Sequence, residues 1–238
     1  MKMISVRESV SKNYLENVIG VNREIHLVPD MGILLPSAST DVAYRILLNE
    51  GVNIDERPIV GINVNETMIR ILLLHNLKSE YEKFIKIMAR AVDYLIEKIN
   101  AQVVFIPHCT APYDDDRVAA IRVYKHVENK SKVRLINNDY PPEETKALIG
   151  HCDIFIGSRM HSCIAAASMN VPFIAIVYNR RRHEVMRMFG FDKYVLDVKT
   201  LTLDKLLSRI NDILVNKEHL KEKLKIYITI LEIVVNCA

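Results

Sequence analysis

From residue 58 onward, short apolar runs alternate with longer amphipathic stretches, and this alternation limits the possible folds more than any other feature of the sequence. Five runs have the length and composition of buried strands: 59–64, 103–106, 133–136, 153–157 and 172–177. The stretches between them have the apolar spacing of helices, at 79–100 (with Ser79 as the expected N-cap), 114–128, 142–149 and 160–169. The pattern predicts an α/β fold with a parallel, doubly wound sheet that binds ligands at the carboxyl ends of its strands.

The two ends of the chain depart from this rhythm. The first 50 residues contain two strand-like and two helical runs, and they begin on a strand that has no sheet of its own. We interpret this segment as the remnant of a preceding domain, and we expect two helices within 203–235. The predicted organisation is therefore a remnant with an interdomain segment, a sheet domain and C-terminal helices, at 1–50, 51–200 and 201–238.

Composition excludes several classes of protein. Lys and Arg number 32 against 29 Asp and Glu, and the net charge of +3 is too small to indicate a nucleic acid partner. The four cysteines form no C-x-x-C pair, so the reducing cytoplasm is the expected compartment. The N-terminus lacks the apolar run of a signal peptide. The most apolar stretch, 226–235, is interrupted by Glu232 and is too short to span a bilayer.

The strand-to-helix turn around residue 158 is the strongest candidate site. A buried strand ends at Gly157 and leads directly into a helix of small residues, whose first turn carries Arg159 and His161. A helix N-terminus favours anions, a guanidinium binds carboxylate or phosphate bidentately, and an imidazole exchanges a proton near neutral pH. We therefore predict catalytic roles for Arg159 and His161 and a substrate contact for Ser158. The alternative is that Arg159 contacts a neighbouring loop and His161 packs in the core.

Two further groups of cations are expected at the same edge of the sheet. Arg180, Arg181, Arg182 and His183 follow the strand at 172–177, and one of these arginines would suffice to bind an anion. Arg7 lies at the end of a strand, just before a helix. The alternatives are a solvated helix start for the first group and a surface ion pair for Arg7.

Other polar residues receive structural interpretations. The run 114–116, three aspartates, is expected to cap the following helix rather than to bind a metal, because carboxylates favour the positive end of the helix dipole. His108 and Cys109 follow a strand and face the expected ligand edge, but they have no metal-like spacing, so we expect them to pack within a loop. The common nucleotide-binding and hydrolase motifs are absent from the sequence.

Four segments together resemble the polysaccharide pyruvyl transferase family. ISVRESVSKNYL is similar to the family's "vRD" segment, with Glu8 where aspartate is usual, and HLVPDMGILLP is similar to its "PD-x-x-x-L" stretch. PIVGINVN resembles the first strand of the family's carboxyl domain. IGSRMHSCIAAASMNVPFIAIVYNRR carries the R-x-H element, the most specific part of the match, and Arg181 stands where the family has lysine.

The resemblance implies a fold, a reaction and a site. The fold would be a Rossmann-like domain, the C-terminal half of a B-type glycosyltransferase-like architecture. The reaction would transfer a pyruvyl group from phosphoenolpyruvate to a sugar or lipid-linked saccharide as a ketal, without a metal or an organic cofactor. Arg159 and His161 match residues that contact the donor, Arg7 matches an arginine on the opposite wall of the cleft, and Arg181 matches the family lysine.

The family has a Rossmann-like amino domain before the "vRD" segment, which here lies almost at the start of the chain. We therefore expect a truncated or split enzyme whose separate N-terminal half binds the acceptor. Two other functions stay open. One is a glycosyltransferase with a nucleotide-sugar donor, for which Glu184 is the candidate ribose ligand. The other is a binding module without catalytic activity.

Overall fold

The N-terminal part of the chain forms a small unit beside the main sheet. The computed structural model describes residues 3–55, 58–74 and 78–237. Strands β1 (Ile4–Val6) and β2 (Ile25–Leu27) pair in parallel, and helix α1 (Ser9–Asn17) is the crossover between them. A 3-10 turn (Met31–Leu34) and helix α2 (Thr40–Asn49) then lead towards the larger sheet.

The rest of the chain alternates strands and helices around a six-stranded parallel sheet. In chain order its elements are β3 (Ile59–Asn63), α3 (Glu66–Leu74), α4 (Lys78–Ile99), β4 (Gln102–Phe105), the hairpin β5 (Thr110–Ala111) and β6 (Asp114–Asp115), α5 (Asp116–His126), β7 (Val133–Leu135), α6 (Pro142–Gly150), β8 (Ile154–Gly157), α7 (Met160–Ser168), β9 (Phe173–Val177), α8 (Arg180–Arg187), β10 (Val195–Asp197) and α9 (Leu203–Cys237).

The strand order of the large sheet is β10-β9-β8-β3-β4-β7. Numbered by their position in the chain and read from β7, these six strands run 3-2-1-4-5-6, the order of a Rossmann fold. The predicted Rossmann-like, doubly wound sheet is therefore confirmed. The order reverses between β3 and β8, and in such sheets ligands bind at the carboxyl ends of the strands next to this reversal.

The central strands are apolar because helices cover both faces of the sheet. Every residue of β3, β4, β8 and β9 is buried. At the end of β8, a Cβ added to Gly157 would lie 2.6 Å from the Cys163 sulfur and 2.8 Å from the Phe155 ring. Glycine thus lets α7 pack tightly on the end of β8, and this packing directs the start of α7 towards the carboxyl edge of the sheet.

Several elements differ from the sequence prediction. Helix α3, which follows β3 after two residues, was not predicted. Strand β10 was also missed, because its three residues lie between two 3-10 turns and do not form a separate apolar run. Helix α4 begins at Lys78, so the expectation of Ser79 as its N-cap is wrong. The two helices expected within 203–235 correspond to α9, which is broken at Asn216.

A buried lysine fastens the N-terminal part to the large domain. Lys146, on α6, donates hydrogen bonds from Nζ to the carbonyl oxygens of Ile33 and Leu35 at 3.2 and 2.5 Å. Burial lowers the pKa of Lys146 below its ordinary value. The two carbonyl contacts hold the 3-10 turn against α6 and thereby fix the residues on either side of the turn.

None of the described helices combines the length and apolar character needed to cross a bilayer.

Candidate functional site

A cleft of about 1020 Å³ lies at the carboxyl edge of the large sheet. One side, which we call the sheet wall, follows β4 and β8 and includes His108, Cys109 and 159–161. The opposite side, the N-terminal wall, comes from β1 and β2 and includes 5–8 and 28–31. The cleft thus occupies the ligand position expected for this strand order.

Asp116 organises the sheet wall, although it is buried and does not itself line the cleft. Its carboxylate accepts hydrogen bonds at 2.8–3.2 Å from residues on several elements: Asn63, Glu66, His108, Cys109 and Arg159. These partners come from the end of β3, the start of α3, the loop after β4 and the turn after β8. One carboxylate therefore joins four segments at the edge of the sheet.

Arg159 is held by two carboxylates. Its Nη2 lies 2.8 Å from Asp116 and 2.7 Å from Asp114, and its side chain is 14% exposed. Its backbone N–H donates to Asn63 Oδ1 at 3.0 Å. Burial by itself lowers the pKa of Arg159, but the bonds to the two aspartates outweigh it and raise the pKa above its usual range. The guanidinium therefore stays charged and fixed in orientation at the cleft surface.

Ser158 lies behind this surface. Its buried hydroxyl donates to the carbonyl oxygen of Asn63 at 3.0 Å and accepts from the N–H of Asn65 at 2.7 Å. Ser158 is also missing from the described residues that line the cleft. Its hydroxyl joins the ends of β3 and β8, and the substrate contact expected of Ser158 stays a prediction.

The N-terminal wall brings Arg7 and Asp30 together with His161. Arg7 Nη1 lies 2.5 Å from Asp30 Oδ2, and the N–H of Gly32 donates to Asp30 Oδ1 at 2.9 Å. His161 Nε2 lies 3.6 Å from Asp30 Oδ2, which is long for a hydrogen bond, and the two form an ion pair only when the ring is protonated. His161 contributes most to lowering the pKa of Asp30; burial opposes the shift, and Gly32 and Arg7 add to it.

His108 and Cys109 lie on the sheet wall, whereas the sequence predicted loop packing for both. The rings of His108 and His161 are nearly parallel, with an interplanar angle of 19° and 6.2 Å between centroids. Burial, followed by the charge of His161, lowers the pKa of His108 to about 4, so this ring is uncharged at neutral pH. The only signal in the sequence was its position just after a strand that ends at the ligand edge.

The basic cluster at the start of α8 is described only in part. The side chains of Arg180, Arg181 and Arg182 lie outside the described residues. His183 and Glu184 are described and are not among the residues that line the cleft. Glu184 accepts a hydrogen bond from the Ser9 hydroxyl at 2.8 Å and contacts Arg187 at 3.7 Å.

The three consecutive aspartates, at 114–116, have two different structural roles. Asp115 caps α5 by accepting from the N–H of Arg117 at 2.9 Å, as predicted. Asp114 and Asp116 hold Arg159, a role the sequence analysis missed. Across the part of the chain that the structure describes, no three His, Cys, Asp or Glu side chains are grouped so as to hold a metal ion.

Comparison with known proteins identifies the family of this chain. The family model for polysaccharide pyruvyl transferase matches residues 2–180. The amylovoran biosynthesis protein AmsJ of Erwinia amylovora is 26% identical over 221 residues, which are 92% of this chain and 52% of AmsJ. The chain thus spans about half the length of this curated relative. Since the family match covers well over half of the chain, the protein belongs to the polysaccharide pyruvyl transferase family.

Proposed function

We propose that the cleft is the donor site of a pyruvyl transferase, which binds phosphoenolpyruvate and transfers its pyruvyl group to two hydroxyls of a saccharide as a ketal. The observation that carries the proposal is the meeting of Arg7, Arg159 and His161 around one cleft. Arg7 is far from Arg159 and His161 in the sequence, and each of the three stands at a position of the family motif. Arg181, at the family's lysine position, is proposed as a further ligand of the donor.

The proposed reaction needs one proton donor, His161. His161, protonated beside Asp30, donates a proton to the methylene carbon of phosphoenolpyruvate, and positive charge develops at C2. The first sugar hydroxyl adds to C2, the bond from C2 to the phosphate oxygen breaks, and the second hydroxyl closes the ketal. Of the two hydroxyl protons released, one returns to His161 and the other leaves with phosphate.

The charges of the cleft assign different tasks to its arginines. Arg159 is already compensated by two aspartates, so its contribution is an oriented set of N–H donors rather than a free positive charge. Arg7 is half exposed and bonds Asp30 through Nη1, and we propose that its remaining donors bind the carboxylate or phosphate of the donor. Protonated His161 and Arg181 would supply the remaining positive charge.

The acceptor is proposed from the relative. AmsJ is named for the biosynthesis of a polysaccharide, amylovoran, which supports a sugar or a lipid-linked saccharide as the acceptor here. AmsJ is about twice as long as the matched region, and we propose that acceptor contacts come in part from a further domain. That domain would be joined to this chain or supplied as a separate half.

Calorimetric titration of the chain with phosphoenolpyruvate tests the donor site. Arg159→Lys keeps the charge but loses the planar set of donors, and we expect its affinity to fall at least about tenfold. The matched control is Arg117→Ala, which removes an arginine that pairs with Asp115 and Asp139 rather than with Arg159 or its two aspartates. Equal affinity of Arg159→Lys and the unaltered chain would contradict the assignment.

The same titration separates the rival functions. Tighter binding of a nucleotide sugar than of phosphoenolpyruvate would favour a glycosyltransferase. The structure gives that alternative little support, because Glu184, its candidate ribose ligand, bonds Ser9 and does not line the cleft. Donor binding without ketal formation, even with the relative's additional domain supplied, would favour a binding module.

A further inference from the structure

His108 lies on the sheet wall and has no role in the proposed reaction. Its backbone N–H donates to Asp116 Oδ2 at 3.1 Å, so the carboxylate that fixes Arg159 also fixes His108. Its ring faces that of His161 across 6.2 Å. Both residues line the cleft, so a ligand bound beside His161 also lies close to His108.

One nitrogen of the His108 ring is enclosed by protein. Nδ1 is buried, and it has no hydrogen-bond partner among the residues that the structure describes. Buried N–H groups without an acceptor are rarer in proteins than buried acceptors without a donor, so we assign the ring proton to Nε2. Because Nδ1 is enclosed, Nε2 is also the nitrogen that a ligand in the cleft can reach.

An uncharged imidazole with its proton on Nε2 is a hydrogen-bond donor. Three carboxylates of the cleft region have other partners, since Asp114 and Asp116 bond Arg159 and Asp30 bonds Arg7. The acceptor for His108 would then belong to the ligand. A neutral donor that is already oriented stabilises negative charge on an oxygen without giving up its proton.

We propose that His108 is a further ligand-contacting residue of this cleft, which donates a hydrogen bond from Nε2 to an anionic oxygen of the bound donor. The identity of the donor rests on the proposed function. The chemistry that His108 recognises is a phosphate or a carboxylate oxygen, and phosphoenolpyruvate carries both.

Two variants distinguish the contribution of the aromatic ring of His108 from that of its Nε2 donor. His108→Phe keeps an aromatic ring beside His161 but has no donor, whereas His108→Gln carries an amide nitrogen at about the reach of Nε2. We expect His108→Phe to weaken binding of the recognised anion about tenfold or more and His108→Gln to retain most of the affinity. Calorimetric titrations of the full chain with phosphoenolpyruvate, inorganic phosphate and pyruvate measure this. Loss confined to phosphate or to pyruvate identifies which oxygen is bound.

Thermal denaturation gives a readout that does not depend on any ligand. His108→Phe removes a buried nitrogen without a partner, so we expect the melting temperature to rise by about 2–4 °C. A lower melting temperature would overturn the proposal. It would mean that Nδ1 has a partner in the free chain, and the reason for placing the ring proton on Nε2 would be lost. Unchanged affinity of His108→Phe for all three probes would overturn it as well.

The outcomes also distinguish this proposal from the proposed function. If phosphate binding depends on His108 but phosphoenolpyruvate binds no better than phosphate, the contact is supported and the donor is wrong. If phosphoenolpyruvate binds tightly and His108→Phe binds it equally well, the donor is supported and the contact is wrong. Binding of none of the probes by the unaltered chain would contradict both.

Discussion

The two walls of the cleft hold their charges in opposite ways. On the sheet wall, Arg159 is largely buried and bonded to two aspartates, one of which joins four segments of the fold. On the N-terminal wall, Arg7 is 49% exposed and its described ion pair is with Asp30. The first arrangement resists rearrangement because each group has several partners. The second is open to water and can change its partner when an anion arrives.

This contrast indicates that the two walls have different roles in ligand binding. Donors fixed before the ligand binds stabilise developing charge without reorganising, which suits the sheet wall to orienting the reacting group. Exposed charges attract an anion and are screened by salt, which suits the N-terminal wall to capture. Mutations in the sheet wall should therefore mainly lower the free energy of unfolding, and mutations of Arg7 in the N-terminal wall should mainly weaken ligand binding.

The largest effect on stability is expected on the sheet wall. Asp116→Ala leaves the Arg159 guanidinium short of a buried partner and several N–H groups unpaired, so we expect the free energy of unfolding to fall by about 3–5 kcal/mol. Urea denaturation measures the loss. Asp115→Ala is the matched control, since Asp115 caps the same helix, and it should cost only about 1 kcal/mol. Equal losses in the two variants would remove the distinction between the walls.

An intermediate effect is expected where the walls meet. The pKa of Asp30 is lowered in the folded chain, so its stabilising contacts are fully present above its unfolded pKa of about 4 and are lost as the pH falls below that value. We expect Asp30→Asn to cost about 1 kcal/mol at pH 7, because Arg7 is exposed. Melting curves between pH 7 and pH 2 should show the difference from the unaltered chain shrinking below about pH 4.

The exposed Asp55 provides the control for this series. Asp55→Asn removes an exposed carboxylate that does not line the cleft, and its melting curves over the same pH range serve as the baseline. A difference for Asp30→Asn that grows as the solution becomes more acidic would contradict the linkage.

The smallest effect on stability is expected at Arg7. Arg7→Ala removes a half-exposed ion pair, so the free energy of unfolding should change by less than about 1 kcal/mol. Its affinity for phosphoenolpyruvate should nevertheless fall severalfold, and the loss should be larger at low salt. Titrations at two salt concentrations, with the exposed Arg45→Ala as control, measure this. A large loss of stability at Arg7 would mean that this wall is as fixed as the other.

The sequence was sufficient to predict the scaffold and the edge of the sheet at which the candidate residues meet. Strands and helices differ in the spacing of their apolar residues, and five of the six sheet strands lie within apolar runs that show it. The carboxyl ends of parallel strands share one edge, so residues that follow different strands can be assigned to one place. This rule brought Arg159 and His161 to the cleft, and the family resemblance added Arg7.

The partners of these residues could not be predicted. Asp114 and Asp116 precede Arg159 by more than 40 residues, and an acidic run before a helix already has a sufficient explanation in capping. The sequence around the three aspartates gave no reason to assign Asp115 a different role from Asp114 and Asp116. His108 was likewise assigned to loop packing, because the position of its ring depends on a contact with a buried carboxylate made elsewhere in the chain.

Lys146 determines which part of the N-terminal wall can move. By binding the carbonyls of Ile33 and Leu35, it keeps the turn after Asp30 with the large domain. The pair β1–β2 has only three residues in each strand, and so short a sheet opens at a much lower free-energy cost than the core. We therefore expect any local opening of the cleft to move Arg7 away while Asp30 stays beside His161. A ligand that bridges Arg7 and the sheet wall would suppress this opening, and part of its binding energy would be spent on the lost conformational entropy of β1, α1 and β2.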